Sequence, residues 1–422
     1  MTQYIVTNKK TEMKVMKKKR VIIIITAVFI FAAAAGTGGY LYARQYIPEI
    51  AFDGFADLDT ASWTMDHDGA VVINGSGELP DLYRNYSLYD TVYREKLDLI
   101  EKWAYRINPG FHAKRITIGK DVRDFNEERK LYNGEYFWMC EDVAEIEVAD
   151  ENPFFSSEDG VLFNKDKTTL LRYPPKKSDS SYTVPESVAE INAYAFSDCH
   201  NLKELSLPEG LEKIGDPETV SGICFAGLNS LEKITADPAN QTYTVRDGVL
   251  FDKEAKTLLF CPPKLGIAEY VLPQSAEAIA AYAFAGCEYI ETVILGDHLS
   301  AMGEWSFSQC SALKSVSVPG SLEAIPEGAF WGCAALESVE IRDGIKYIGA
   351  NAFYGCKSLS TVSIPDSVIG IGYAAFGYFF RDGRTADQKV KGFSIVCSDS
   401  CAAAKLYAEK NGFTLKTLIK EE

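Results

Sequence analysis

A phenylalanine recurs every 23 residues, at Phe284, Phe307, Phe330, Phe353 and Phe376, and the segments around it align without gaps. SFSQCSALKSVSVP, AFWGCAALESVEIR and AFYGCKSLSTVSIP are consecutive instances. Six residues after the Phe stands an apolar position: Ile290, Leu313, Leu336 and Leu359. Nine and eleven after it stand Val293/Leu295, Val316/Val318, Val339/Ile341 and Val362/Ile364, and five before it Ile279, Met302, Ile325, Ile348 and Ile371. A single unit of this length cannot bury its own apolar face, so such units must stack, each touching its neighbours. Apolar residues two apart make a short strand with one buried face. The Ala-Phe-x-Gly-Cys stretch is too short for a long helix and predicts a single helical or 3₁₀ turn with Phe as the core plug.

The pattern extends upstream with altered spacing. Phe196 carries Leu202, Leu205 and Leu207; Phe225 carries Leu231 and Ile234; Phe137 carries Val143, Ile146 and Val148. A longer period is superimposed, because SEDGVLFNKDKTTLLRYPPK and VRDGVLFDKEAKTLLFCPPK lie 88 residues apart. The intervals Phe137–Phe196 and Phe225–Phe284 are both 59 residues, a 23-residue unit plus a 36-residue insertion. Asp-Gly, Val-Leu-Phe, a polar turn at Asn164–Lys167 and Thr-Thr-Leu-Leu predict an inserted β-hairpin closed by Pro-Pro. The fold expected is a β-rich α/β solenoid of about eight 23-residue units, with two inserted hairpins, a cap at each end and one N-terminal transmembrane helix.

That helix rests on residues 21–43, VIIIITAVFIFAAAAGTGGYLYA, which carry no charge and follow seven cations within the first twenty residues. As a helix the run is roughly 34 Å long, enough to cross a hydrocarbon core of about 30 Å. The basic flank stays inside and the body is exported. A cleaved signal peptide would use Val21–Phe31 with Ala33 and Ala35 at the cleavage site. A retained signal-anchor uses all of it, and is favoured because the apolar run continues past the alanines. The boundaries expected are a cytoplasmic tail 1–20, the anchor 21–43, an N-terminal cap region 44–130, the solenoid 131–392 and a C-terminal cap 393–422. The protein is then a single-pass membrane protein with its C-terminal body outside, or, on the alternative, secreted.

IGANAFYGCKSLSTVSIPDSVIGIG and IPEGAFWGCAALESVEI resemble the BspA-type leucine-rich repeat, also called the Treponema pallidum type, and residues 137–379 follow it closely. Residues 63–120 resemble the amino-terminal cap often found in these proteins, and residues 393–418 their strand–helix–strand carboxy-terminal cap. The resemblance implies an exported, surface-displayed bacterial protein, adhesion to host proteins or other cells as an activity, and no catalytic residues. The chain departs from the repeat at Leu228 and Phe379, where Cys is expected, and by six extra residues around Asp216–Ser221.

Six of ten cysteines share one repeat slot: Cys140, Cys199, Cys287, Cys310, Cys333 and Cys356. An exported chain with an even count suggests disulfides. Side chains pointing inward in parallel from successive turns lack the facing geometry of a bridge, so these thiols are read as small buried hydrophobes. Cys224 and Cys261 read as core substitutions, and Cys397 and Cys401 could bridge. Asp66-His67-Asp68-Gly69 lacks the remaining ligands of a calcium loop and reads as a β-turn. Tyr83–Ala104 carries Tyr86, Tyr89, Tyr93, Leu97, Ile100 and Trp103 at helical spacing, an amphipathic helix suited to covering the open end of the stack.

A net charge of −16, despite the basic N-terminus, disfavours nucleic acid as a partner. Four scattered histidines and the lack of any catalytic motif leave no enzyme, metal or cofactor reading, and a carbohydrate-processing enzyme would need paired carboxylates that cannot be located. Positions eight and ten after each Phe alternate with the buried ones and face solvent. The candidate binding face is therefore Glu204, Ser206, Lys233, Thr235, Thr292, Ser315, Ser317, Ser338, Glu340, Thr361 and Ser363. The function expected is non-enzymatic binding of an extracellular protein or cell-surface macromolecule, of the adhesion type. The alternative is a structural or assembly component of the bacterial envelope with no diffusible ligand.

Overall fold

Phe284, Phe307, Phe330, Phe353 and Phe376 form one continuous column of rings inside the protein, each at most 1% exposed. Successive centroids are 4.7, 5.3, 5.0 and 4.8 Å apart, with planes within 8–9° of parallel. The computed structural model describes residues 62–65, 70–75, 77–78, 113–123, 140–215, 224–379 and 388–418. The expected anchor 21–43, the expected turn 66–69 and the aromatic stripe 83–104 lie outside the described residues. Among the described residues no helix is long and apolar enough to cross a membrane. The elements below belong to one compact unit formed by residues 53–64 and 69–422; the remaining unit lies almost wholly outside the described residues.

The column exists because each coil enters it by the same tight turn. Amide-to-carbonyl bonds over three residues, such as Cys333 N to Phe330 O at 3.3 Å, close that turn, as expected from the Ala-Phe-x-Gly-Cys spacing. The residue two after the Phe has a left-handed backbone in six turns: Gly227, Gly286, Gly332 and Gly355 at φ +74 to +82°, Asp198 and Gln309 at +61° and +58°; after Phe376 the left-handed residue is the next one, Gly377, at +76°. Glycine takes this conformation without a Cβ clash, which is why it punctuates the motif. The turns also bond to one another, Phe307 N to Ala329 O and Phe330 N to Ala352 O both at 2.8 Å.

The strands at positions eight to eleven after the Phe pair in parallel. Thr292–Ile294, Ser315–Val318 and Ser338–Ile341 are neighbours, with Ser315 opposite Ser338 and Val316 opposite Val339. Glu204–Leu207 pairs with Lys233–Ala236 in the same way. Upstream, Ala70–Asn74, Arg115–Ile118 and Glu145–Val148 make a third parallel set.

A second parallel ladder, not anticipated from the sequence, runs through the short strands before the Phe. Ala278–Ile279 pairs with Ala301–Met302, and Tyr347–Ile348 joins Ala324–Ile325 to Gly370–Ile371. These strands are two residues long, so the period-two alternation that marks a strand has no room to show. Coils approach closely beside this ladder: a Cβ on Gly349 would lie 2.5 Å from the Glu327 amide nitrogen.

Each insertion contains the expected hairpin and one strand more. Phe155–Glu158, Val161–Asn164 and Thr169–Arg172 form an antiparallel meander, and Tyr243–Arg246, Val249–Asp252 and Thr257–Phe260 repeat it. Asp159-Gly160 and Asp247-Gly248 both have positive φ at both residues, so Asp-Gly is the first hairpin turn rather than a lead-in. The third strand of each meander joins the second parallel ladder, Thr169–Arg172 beside Glu190–Ile191 and Thr257–Phe260 beside Ala278–Ile279. An insertion thus supplies the missing strand of its own coil.

A buried asparagine pins each insertion to the coil before it. Asn152 Nδ2 donates to the carbonyls of Gly119 and Val122, both at 2.8 Å, while its Oδ1 accepts from the Phe154 and Phe155 amides. Asn240, 88 residues later, donates to Pro208, Glu209 and Leu211 and accepts from Thr242 and Tyr243. Both side chains are fully buried, and the backbone groups they bond are largely satisfied through them, Gly119 O and Pro208 O having only a long second bond at 3.4 Å.

At the other end, strand Ser394–Cys397, helix Ala402–Asn411 and strand Thr414–Thr417 follow in order. Tyr407 stands edge-on to Phe376, and its hydroxyl accepts from the Phe376 amide and donates to the Phe376 carbonyl. The last ring of the column thereby gains a cover with satisfied polar groups.

All ten cysteines are unbridged and buried. The repeat-slot thiols do more than fill space. Cys310, Cys333 and Cys356 Sγ donate to the carbonyls of Phe284, Phe307 and Phe330 of the preceding coil, at 3.1, 3.1 and 3.3 Å. Cys397 and Cys401 are also free thiols, Cys401 donating to Pro365 O.

Candidate binding face

Each strand of the main ladder buries one side of its pleat and presents the other. Val316 and Val318 are buried while Ser315 is exposed and Ser317 half-buried. Val339 and Ile341 are buried while Ser338 and Glu340 are exposed; Val362 and Ile364 are buried while Thr361 and Ser363 are exposed. Valine and isoleucine at alternate positions supply the apolar side, and their branched Cβ favours the extended backbone.

Parallel register converts this alternation into columns. Thr292, Ser315 and Ser338 stand in one, and Ser317 and Glu340 in the next. Glu204 stands opposite Lys233 and Ser206 opposite Thr235 in a separate three-stranded group. Thr361 and Ser363 belong to a third, with Ser394–Cys397 alongside. The eleven candidate residues therefore share an orientation but fall into three hydrogen-bonded groups rather than one uninterrupted sheet.

Within the groups the side chains are partly engaged with each other. Thr235 Oγ1 donates to Ser206 Oγ at 3.0 Å, and Ser317 Oγ donates to Glu340 Oε2. Arg342 binds Asp297 at 2.6 Å and lies 3.7 Å from Glu340, an exposed network of small energetic weight. These groups offer donors and acceptors at strand spacing and no concentrated nucleophile. Burial pushes the Cys199 thiol up to about 12 and raises those of Cys333 and Cys356 as well, so they remain protonated and unreactive. Among the described residues no group of three His, Cys, Asp or Glu is placed to hold a metal ion.

Sequence reasoning passed over two strands of this face. Ser181–Thr183 pairs with Glu204–Leu207, and Glu269–Val271 with Thr292–Ile294. Both follow an insertion, and neither follows a Phe turn, so the 23-residue pattern does not mark them. The 88-residue period does, since Ser-Tyr-Thr and Glu-Tyr-Val occupy equivalent positions with Tyr182 and Tyr270 turned inward. Their inclusion brings an apolar pair onto the face, Val271 at 56% and Ile294 at 48% exposure, directly opposite each other.

The parallel ladder of short strands, the Phe column and the conserved turn geometry within the chain define a strand-dominated leucine-rich-repeat protein. Residues 176–251 and 260–379 match the BspA type leucine rich repeat region in six copies, and these residues are BspA-type leucine-rich repeats. No curated protein matches the chain. Among solved structures, the chain is similar to a leucine-rich repeat protein from Eubacterium ventriosum, at 16% identity and a TM-score of 0.46, over 79% of this chain and 97% of that one. It is similar to the pneumococcal vaccine antigen PcpA at 17% identity and a TM-score of 0.46, over 73% of this chain and 80% of that one. A leucine rich cell surface protein from Faecalibacterium prausnitzii aligns at 18% identity and a TM-score of 0.44, over 77% and 95%.

Proposed function

We propose that the protein is a membrane-anchored, outward-facing β-rich solenoid, without catalytic activity, that binds an extracellular protein along its Ser/Thr/Glu sheet face. The observation that carries this reading is the registered alternation of exposed small polar residues over buried Val and Ile on parallel strands. Repeat proteins bind through extended surfaces built from successive repeats. The BspA-type repeats support a surface or binding role. The uncharged run 21–43 after seven cations supports an anchor with the body outside.

The full-length protein, immobilised through its N-terminus, is expected to capture a purified extracellular protein, and Ser315→Arg with Ser338→Arg to abolish capture without unfolding. Retention of only the cell's own envelope material would favour the structural role instead. A periplasmic-type reporter fused after residue 60 should be active outside the membrane, with the mature chain keeping its N-terminus. A mature N-terminus near Gly36 would show a cleaved signal peptide.

A further inference from the structure

Arg172 ends the third strand of the first insertion, at the position equivalent to Phe260 in the second. Phe260 is buried and packs on Phe225 with centroids 4.7 Å apart, so the slot is an apolar one. Arg172 is nevertheless 1% exposed. Its Nη1 donates to the Tyr194 carbonyl at 2.6 Å, while Nε and Nη2, both buried, have no partner. These two atoms form one side of the guanidinium. Their N–H bonds point the same way and make the two-donor fork that receives anionic oxygens bidentately. The hydroxyl of the next residue, Tyr173, is likewise buried without a partner.

Among the described residues no carboxylate is hydrogen-bonded to this charge. A guanidinium stays protonated in proteins. Burial opposes its charge, and Asp198 and the thiols of Cys199, Cys140 and Cys224 surround it. Burial keeps the Cys199 and Cys224 thiols neutral by raising them well above neutrality. No ion pair of the described residues includes Arg172, and Asp198 reaches it only through space. An uncompensated charge in an apolar interior is among the costliest arrangements a fold can hold. A water molecule would accept the two N–H bonds but leave the charge.

We propose that the Nε–Nη2 fork of Arg172 holds a small monovalent inorganic anion, of chloride size, inside the first inserted coil. The fork supplies two converging donors, and because Arg172 is 1% exposed the anion that meets them must be small enough to be enclosed, as a halide is. The anion is the counter-charge that allows arginine to stand where the second copy has phenylalanine. Stability of the first inserted coil is then coupled to external chloride, independently of what the sheet face binds.

The full-length protein, unfolded and refolded at constant ionic strength, tests this with chloride exchanged for gluconate. The denaturation midpoint should rise with chloride, and above saturation each tenfold rise in chloride should favour the folded state about tenfold. Arg172→Phe, the residue already accommodated at 260, should fold and lose that response. Crystals of the wild type grown in bromide should show an anomalous peak within hydrogen-bond reach of Nε and Nη2. A wild type indifferent to chloride, an equal response in Arg172→Phe, or a water or carboxylate at the fork in the bromide map would overturn the assignment. Should Arg172→Phe not fold, the bromide map decides alone.

Discussion

Between Phe284 and Phe376 the rings stack 4.7–5.3 Å apart at 8–9°; upstream, Phe196 and Phe225 are 6.3 Å apart at 21°, and Phe225 and Phe260 lie at 32°. The two regions use the same residue types and differ in spacing, 29 residues from Phe196 to Phe225 against 23 in the regular run, and in where the Phe260 ring comes from. In the regular run every ring leaves the same turn one coil later, so the coil rise fixes both spacing and tilt. Upstream, Phe260 leaves the end of an inserted strand, and its ring meets the column from a different backbone direction. The comparison separates two ways of filling one core. Identical slots 23 residues apart give parallel rings, whereas an insertion gives a packed but tilted contact and tolerates a change of residue as large as Phe to Arg.

The largest effect expected is at the regular end. Phe330→Ala should cost about 3–5 kcal/mol, from lost transfer energy plus the cavity left behind. Phe225→Ala should cost about 1 kcal/mol less, because its ring pairs are poorly aligned. Equal losses in denaturant unfolding would break the link between ring alignment and stability. The damage should also be local. Hydrogen exchange should rise most over residues 307–353 in Phe330→Ala while residues 145–172 keep their protection, since each coil touches its neighbours alone.

Next in size are the asparagine pins of the inserted region. Asn240→Ala removes three bonds to carbonyls and two from amides and should cost about 3 kcal/mol. Asn152→Ala, with four such bonds, should fall within about 1 kcal/mol of it if the two insertions are equivalent. A neutral Asn152→Ala would show that the first insertion is held by something else.

Smaller still is the thiol slot. Cys333→Ala removes a packed sulfur and its bond to Phe307 O and should cost about 1 kcal/mol. All ten thiols should alkylate after denaturation and resist alkylation before it, as read by mass spectrometry; a bridge between neighbouring slots, Cys310 with Cys333, would refute the parallel arrangement. Ser338→Ala, on the outward side of the same coil as Phe330, should stay within about 0.5 kcal/mol. If Ser338→Ala unfolded the protein while Phe330→Ala did not, the assignment of inside and outside would be reversed.

Much of this is legible in the spacing of the sequence alone. The strand beginning at Ser338 could be read because Val339 and Ile341 sit two apart at a fixed distance from Phe330. The outward residues then followed from the pleat alone. The strand Gly370–Ile371 could not be read, because two residues carry no alternation and its partner lies 23 residues away. Phe155–Glu158 was missed for another reason: its Ser and Glu content hides a strand whose burial comes from the meander it joins. Val271 and Ile294 show the same limit on the binding face, since an exposed apolar pair becomes visible only once parallel register sets the two opposite each other.

By itself the sequence determined that units repeat, which residues of each unit are inside, and that cysteine shares the phenylalanine's turn. Those are properties of spacing, and spacing is written in one dimension. Tertiary structure alone decided which carbonyl each Cys333-type thiol meets, that Asn152 and Asn240 reach back to the coil before them, and that an insertion donates its last strand to the second ladder. It also decided that Arg172 lies in the core with one donor edge unfilled. Each of these depends on which neighbouring coil a polar group faces, and a hydrogen-bond partner tens of residues away leaves no mark in local pattern.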